Sequence, residues 1–430
     1  DVSTGEYGDI YQRGAGHPDD QCIYHPSTGR TEGTLNSPGG WYDAGDYGKY
    51  IVNASLSVGQ MLLILEQFPE FMNNVGLNIP ESGNGIIDLW DELRYELDWI
   101  QTMQDDDGGV FFKLTALGFG GFIMPEDYDL DRYIIGKTTA STLDFAAVLA
   151  QASRLYKDID SEWSAKALEA AKKAYTWAEQ NDNIPFKNPE DVSTGEYGDS
   201  EFSDDFFWAS SELYLATKED QYKVAMNKYK QEYKHQLADS WKNFVRNVGF
   251  HSLLENRDML DTEFANFLTQ GHTALADDIL QKIGQHPYRI ALDNYEWGSN
   301  SDILNQAYII CVAHKLSDDE KYLIGDEQIN DYIFGKNATG YSFLTGFGAK
   351  KVMFPHHRPS GADSIADPVP GFILGGPNND RQDGHLVEYT SEFPAKAYMD
   401  VEASFASNEV CINWNAPAVY VLGYLEQVRK

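Results

Sequence analysis

Apolar residues recur at helical spacing along most of this chain. From about Lys49, the positions Val52, Leu56, Gly59 and Leu63 mark one face, and Ile86, Trp90, Leu93, Leu97 and Ile100 repeat the pattern behind the turn Glu81-Ser82-Gly83-Asn84-Gly85. Phe145, Val148, Leu149, Ala152 and Leu155 form another face, and Trp163, Ala167, Ala170, Ala174 and Trp177 the next. The spacing predicts further helices over 203–216, 221–235, 241–255, 261–283, 301–315 and 318–334. A last one begins near Asn415-Ala416-Pro417 and runs through Val421, Leu422, Leu425 and Val428. Convincing strands are few, and no linker rich in Pro, Gly or Ser cuts the chain. The pattern therefore predicts an all-α architecture, and helical pairs closing into a ring fit the number of helices. Residues 1–40 lack periodicity and are rich in turn formers, so they read as an irregular segment packed on one domain, 41–430.

Two connections, 105–138 and 336–408, are too long to be idle and are candidate cleft walls. One oddity is the nonapeptide Asp1-Val2-Ser3-Thr4-Gly5-Glu6-Tyr7-Gly8-Asp9, which recurs unchanged at Asp191 through Asp199. Two copies of nine residues cannot build a solenoid, so the repeat reads as a local duplication or a cloning feature.

Composition narrows the partners. The 430 residues carry a formal net charge of −34, which repels phosphates and argues against nucleic acid or anionic membranes. The substrate expected is neutral or cationic. No apolar run of about 18 residues or more is present, and Asp1 opens nothing like a signal peptide, so the chain reads as soluble. The cysteines, Cys22, Cys311 and Cys411, are too scattered for a disulfide framework or a four-cysteine zinc site. With 26 Tyr, 22 Phe and 9 Trp, the chain has aromatic faces to spare beyond core packing, which leans toward a carbohydrate ligand.

The chemistry concentrates in Gly39-Gly40-Trp41-Tyr42-Asp43-Ala44-Gly45-Asp46-Tyr47-Gly48-Lys49-Tyr50, with two carboxylates in one glycine-rich turn. Asp46 is expected just ahead of a helix N-terminus, where the macrodipole favours the ionised form a base needs; an N-cap beside a solvated Asp is the plainer alternative. Pro355-His356-His357-Arg358 reads as a donor cluster or a structural loop, and its spacing is no metal motif. Glu409 reads as a catalytic or a cap-region carboxylate. The group Glu196, Asp199, Glu201, Asp204 and Asp205 reads as a solvated face or a calcium site. Asp105-Asp106-Asp107-Gly108 lacks EF-hand spacing and reads as a turn. Gly118-Phe119-Gly120-Gly121 follows no clear strand, which speaks against a dinucleotide loop.

Taken together, these motifs resemble glycoside hydrolase family 9, the inverting cellulases built as an (α/α)6 barrel. Gly40 through Tyr50 resembles the family's catalytic-base motif. Ser342 through Lys350 leading to His356-His357-Arg358 resembles its histidine signature, and Tyr398-Met399-Asp400, Phe405 and Asn408 through Ala416 its acid signature, with Cys411 where a smaller residue is usual. Trp297-Gly298-Ser299-Asn300 belongs to the same similarity. The resemblance implies Glu409 as general acid, Asp46 as base and Asp43 as a holder of the attacking water. It further implies His356 and Arg358 on the sugar hydroxyls, Trp297 and Trp414 stacked on sugar rings, and Tyr197 as a cleft aromatic. Asp204 and Asp205 align with a calcium site of some members. A zinc site of some relatives uses cysteines near Cys22, but Cys22 with His17 and His25 is incomplete, and no zinc is expected. The implied activity is endo-β-1,4-glucanase action on cellulose and related β-glucans, without a catalytic cofactor, by a secreted monomer. Exo-action, mixed-linkage preference, or a carbohydrate-binding protein without turnover are the alternatives.

Overall fold

The structure, a computed structural model, describes residues 8–229 and 244–429. The first nonapeptide copy up to Tyr7, and residues 230–235 and 241–243 of the predicted helices 221–235 and 241–255, lie outside the described residues. The chain divides into two compact units. Among the described residues one holds 8–121, 125–229 and 244–260, and the other 122–124 and 261–429.

The first unit carries α1 (Gly8–Tyr11), α2 (Ile51–Gln67), α3 (Pro69–Met72), α4 (Asp88–Thr102), α5 (Thr139–Leu155), α6 (Ser161–Gln180), α7 (Ser203–Thr217), α8 (Asp220–Tyr229) and α9 (Phe244–Glu255). Two kinds of helix alternate. α4 and α6 bury one stripe and expose the other, as the periodicity predicts. By contrast, α2, α5 and α7 are buried almost all round, α5 packing against α2, α6 and α7. Local signals fix the starts: the Thr138 side chain accepts from Ser141 N ahead of α5, and Asp160 accepts from Trp163 N ahead of α6.

A sheet is the main departure from the predicted all-helical pattern. β1 (Cys22–Tyr24), β2 (Thr34–Leu35), β3 (Lys49–Tyr50), β4 (Phe111–Thr115) and β5 (Tyr133–Lys137) pair in the order β2-β1-β5-β4-β3. Only β1 and β5 run parallel. Lys113 stands opposite Tyr50 on one side and Ile135 on the other. A buried ion cluster stitches the sheet to the N-terminal segment: Asp19 accepts from Lys49 Nζ at 2.6 Å and Arg132 Nε at 3.0 Å. Burial opposes the Asp19 charge, but the two cations hold its carboxyl below the ordinary range. The segment 105–138 is thus largely a hairpin, and Gly118-Phe119-Gly120-Gly121 does follow a strand. It leads through a single 3-10 turn at Pro125–Asp127 to β5 rather than into an α-helix, so the dinucleotide reading gains nothing.

The second unit carries α10 (Thr262–Gln285), α11 (Ser299–Ser317), α12 (Glu320–Ile333), α13 (Arg358–Ala362), α14 (Phe405–Asn408) and α15 (Ile412–Arg429). α11 is its buried centre, packed against α10, α12 and α15. α15 starts earlier than the sequence suggests, with Pro417 inside it. Proline cannot donate to the carbonyl four residues back, that of Asn413. Ser301 Oγ donates to that carbonyl instead, at 3.4 Å.

Candidate active site

In the first unit the turn from Gly39 to Gly48 presents Asp43 and Asp46. Gly39 and Gly40 take left-handed φ of 77° and 78°, and a side chain at Gly40 would meet Trp99 Cγ at 2.5 Å. Trp41 N donates to Glu96 Oε2, and Trp41 Nε1 to Glu92 Oε1 at 2.8 Å, which locks the entry to the turn. The exit is closed by Asp43 N donating to Gly48 O at 2.9 Å. Gly48 N donates in turn to Asp46 Oδ2 at 3.2 Å. β3 separates Asp46 from α2, whose N-cap is Tyr50 with no side-chain cap bond. Asp46 therefore does not sit directly ahead of the helix, and its orientation comes from the turn.

Both carboxylates are nearly withdrawn from solvent, Asp43 at 1% exposure and Asp46 at 8%. Each oxygen of Asp43 has its own donor. Asn53 Nδ2, from α2, reaches Oδ1 at 2.8 Å, and the Tyr197 hydroxyl reaches Oδ2 at 2.7 Å. Burial drives the Asp43 pKa up to about 7; the Tyr197 bond pulls it down, the Asp46 charge pushes it up, and the Asn53 bond pulls it down. The arrangement suits a pair of acids that are not both ionised, with one carboxylate left to act on water. The sequence pointed to Tyr197 only as a cleft aromatic and gave no role to Asn53, whose place one turn into a predicted helix beside the Asp motif was the available signal.

In the second unit Glu409 and His356 are brought together by backbone pairing. The two form an isolated parallel bridge, with His356 N donating to Asn408 O at 2.8 Å and Gly375 N to Glu409 O at 2.9 Å. Glu409 ends α14 in an extended conformation. Asn408 anchors the pair: its Nδ2 donates to Phe354 O at 2.6 Å, and its Oδ1 accepts from the Tyr398 hydroxyl. Asp400 accepts from Met353 N and Phe354 N, fixing the segment before His356. His356 donates Nδ1–H to Glu402 O at 2.6 Å, which selects the tautomer with a bare Nε2. Burial, reinforced by nearby Arg358, lowers its pKa to about 4, so the ring is neutral near pH 7. Arg358 opens α13, 5% exposed, with its guanidinium 5.7 Å from the Phe122 ring centre. Phe405 stands between His356 and Trp297, at 6.1 and 5.6 Å between ring centres.

The two tryptophans differ. Trp297 is 43% exposed, whereas Trp414 is 9% exposed, its ring against the backbone of Gly298 and Gly375. Asp204 and Asp205 lie in the first turn of α7, both buried. Burial raises the Asp204 carboxyl to about 7 and raises Asp205 and Asp144 as well. Asp205 Oδ2 and Asp144 Oδ1 are buried without a hydrogen-bond partner, which suits a hard cation, yet among the described residues no group of three or more His, Cys, Asp or Glu could hold a metal. The donor set fits calcium only in part. His17, Cys22 and His25 bond to Tyr42, Asp19 O and Asp191 respectively and do not converge.

The chain matches the family described as Glycosyl hydrolase family 9 over residues 3–422. It is 40% identical over 444 residues to a xyloglucan-specific endo-β-1,4-glucanase of Bacteroides ovatus, covering 98% of this chain and 75% of that one. Endoglucanase D of Acetivibrio thermocellus is 36% identical, over 98% of this chain and 66% of its own length. Among solved structures, one named Bacteroides ovatus GH9 superposes with a TM-score of 0.91 at 38% identity, covering 100% of this chain and 80% of that one. Another, AaCel9A in complex with cellobiose-like isofagomine, gives 0.88 at 32% identity, covering 99% and 81%. The fold class is that expected from the sequence, the (α/α)6 barrel of these enzymes. No helix among the described residues is long and apolar enough to cross a membrane.

Proposed function

The chain belongs to glycosyl hydrolase family 9, and from that premise we propose that it cleaves internal β-1,4-glucosidic bonds of cellulose and related β-glucans with inversion at the anomeric carbon. The observation that carries this reading is the Asp43–Asp46 turn, with Asp43 held on both oxygens by Tyr197 and Asn53. Inversion needs one carboxylate to activate water and one carboxylic acid to protonate the departing oxygen. Asp46 is the base, Asp43 helps hold the water, and Glu409 is the acid. Neutral His356 and charged Arg358 bind hydroxyls of the sugar beside the cut. Trp297 and Trp414 are assigned to the sugar rings. Xyloglucan is among the polymers to test, because a relative of this chain is named for it.

The enzyme acts outside the cell as a monomer on this reading, since an insoluble polymer cannot enter. A structural calcium at Asp204 and Asp205 is part of the same reading. Chelation that lowers the melting temperature, with recovery on adding calcium, would support it; an unmoved melting temperature removes it. The decisive variant is Glu409→Gln. Activity on natural glucans should fall by roughly 10²–10⁴-fold, and by much less on aryl glycosides whose leaving groups need no proton. Equal loss on both substrates would contradict the assignment of the acid.

A further inference from the structure

We propose that Lys113 is a positioning residue of the base site: its ammonium group ties down the backbone at Thr194 and Gly195 and so holds the Tyr197 hydroxyl on Asp43. The inference rests on the role given above to the Asp43–Asp46 turn.

Lys113 is the central residue of β4, and its side chain is fully buried. A lysine there is costly unless its donors are satisfied. Nζ donates to Asn188 Oδ1 at 2.7 Å, to Gly195 O at 2.7 Å, and to Thr194 O and Oγ1 at 3.3 and 3.2 Å. The amide and carbonyl oxygens can only accept, so the group must bring all three protons. Burial lowers its pKa to about 7, and the nearby charges of Asp46 and Glu196 raise it again. None of these bonds of Nζ goes to a carboxylate. The lysine is spent on neutral acceptors, all of them on one strap of chain.

That strap leads directly to Tyr197. Asn188 Nδ2 donates to Thr194 O at 2.7 Å, and Asn188 N to Glu196 Oε2 at 3.0 Å, so the strap is knotted around the lysine. Two residues beyond Gly195, Tyr197 holds φ at 42°, a left-handed conformation that a non-glycine residue keeps only when its surroundings impose it. Its ring stands edge-on to Tyr50 with centres 4.9 Å apart, and Lys113 Nζ lies 5.5 Å from the centre of the same Tyr50 ring. Filling the space would take only a methionine. Direction is what the ammonium adds, because it binds the two carbonyls whose placement sets where Tyr197 points. The second nonapeptide copy thereby acquires a role: it supplies Thr194, Gly195 and Tyr197.

The test uses the full chain with Lys113→Met and Tyr197→Phe, singly and together. Amide exchange of the 191–199 peptide and kcat and KM on cellopentaose are the readouts. Lys113→Met should speed exchange across 191–199 about tenfold while leaving α5 unchanged, and lower kcat at least tenfold with KM within about threefold. In the Tyr197→Phe background the same change should cost less than about threefold in kcat, since both act through one hydrogen bond. Unchanged exchange at 191–199, or losses that multiply, would overturn the proposal. Asn188→Ala keeps the lysine and removes one acceptor. If Lys113→Met does not fold, this variant should show the same pattern in smaller size, and wild-type exchange would overturn the proposal equally. A wild-type enzyme inactive on β-glucans would sink the functional reading, while the exchange data still decide whether Lys113 holds the strap.

Discussion

The Tyr197 hydroxyl donates to Asp43 Oδ2 at 2.7 Å, joining residues 154 positions apart in the sequence. The bond opposes the burial that lifts Asp43 to about 7. Tyr197→Phe removes the donor without emptying the site, so Asp43 should become a weaker acid. The activity limb set by its ionisation should move to higher pH. A hydrogen bond to a charged group contributes roughly 1.5–3 kcal/mol, so kcat should fall roughly 10- to 100-fold. A pH profile of kcat/KM checks both; an unshifted limb with full activity would rule this role out.

Trp297 and Trp414 should separate on truncation to alanine. Trp297 is exposed and packs only partly on Phe405, so its loss should raise KM with little change in melting temperature. Trp414 is packed on glycine backbone at Gly298 and Gly375, where nothing can refill the space. Its loss should cost about 3–5 kcal/mol of stability as well as activity. Denaturant melts beside kinetics distinguish the two, and equal stability for both variants would contradict the packing argument.

Stability should fall as pH rises from about 6.5 to 8.5. Burial raises the carboxyls of Asp43, Asp204 and Glu212 to about 7 and of Glu96 to about 8, from 3.8 or 4.5. An acid whose folded pKa is raised holds protons the unfolded chain has lost. Its stabilisation is complete below the unfolded value and disappears as pH climbs through the folded one. His356, lowered to about 4, and His17, lowered to about 3, act oppositely only below about 6.5, and Lys113, lowered to about 7, acts oppositely above about 7 but is one group against four. Above about 6.5 the carboxyls together outweigh the lysine, and each kcal/mol lost should lower the melting temperature by roughly 1–2 °C in a chain of this length. Calorimetry across this window checks the sign; a rising melting temperature would contradict it.

Gly40 and Gly29 both have left-handed backbones, φ 78° and 79°, but only Gly40 faces a wall. An added methyl at Gly40 meets Trp99 at 2.5 Å, whereas at Gly29 it meets nothing within 4 Å. Gly29→Ala should cost about 1–2 kcal/mol from backbone strain alone. Gly40→Ala should cost about 1–3 kcal/mol more from overpacking and displace Asp43. Urea titration of the two variants compares them, and equal costs would show that Trp99 yields.

The helices were legible because their faces repeat. Trp90, Leu93, Leu97 and Ile100 mark α4 without any knowledge of what covers them. The sheet was not. β4 is buried along its whole length with a lysine at its centre, so it neither alternates nor reads as purely apolar, and β1, β2 and β3 are only two or three residues long. This hid β3 and made Asp46 look adjacent to a helix. At the site, the chemistry-bearing residues were visible as local motifs. Their supports were not, because Tyr197 reaches Asp43, and Lys113 reaches Gly195, across long stretches of sequence that carry no shared signal.

Inversion is tested most directly by proton NMR of the newly formed reducing end while the protein digests cellopentaose, before mutarotation blurs the signal. An α-anomer appearing first is the expected result, with Asp46 delivering water to the face opposite the leaving group. A β-anomer appearing first would mean retention through a covalent intermediate and would contradict the roles given to Asp46 and Asp43.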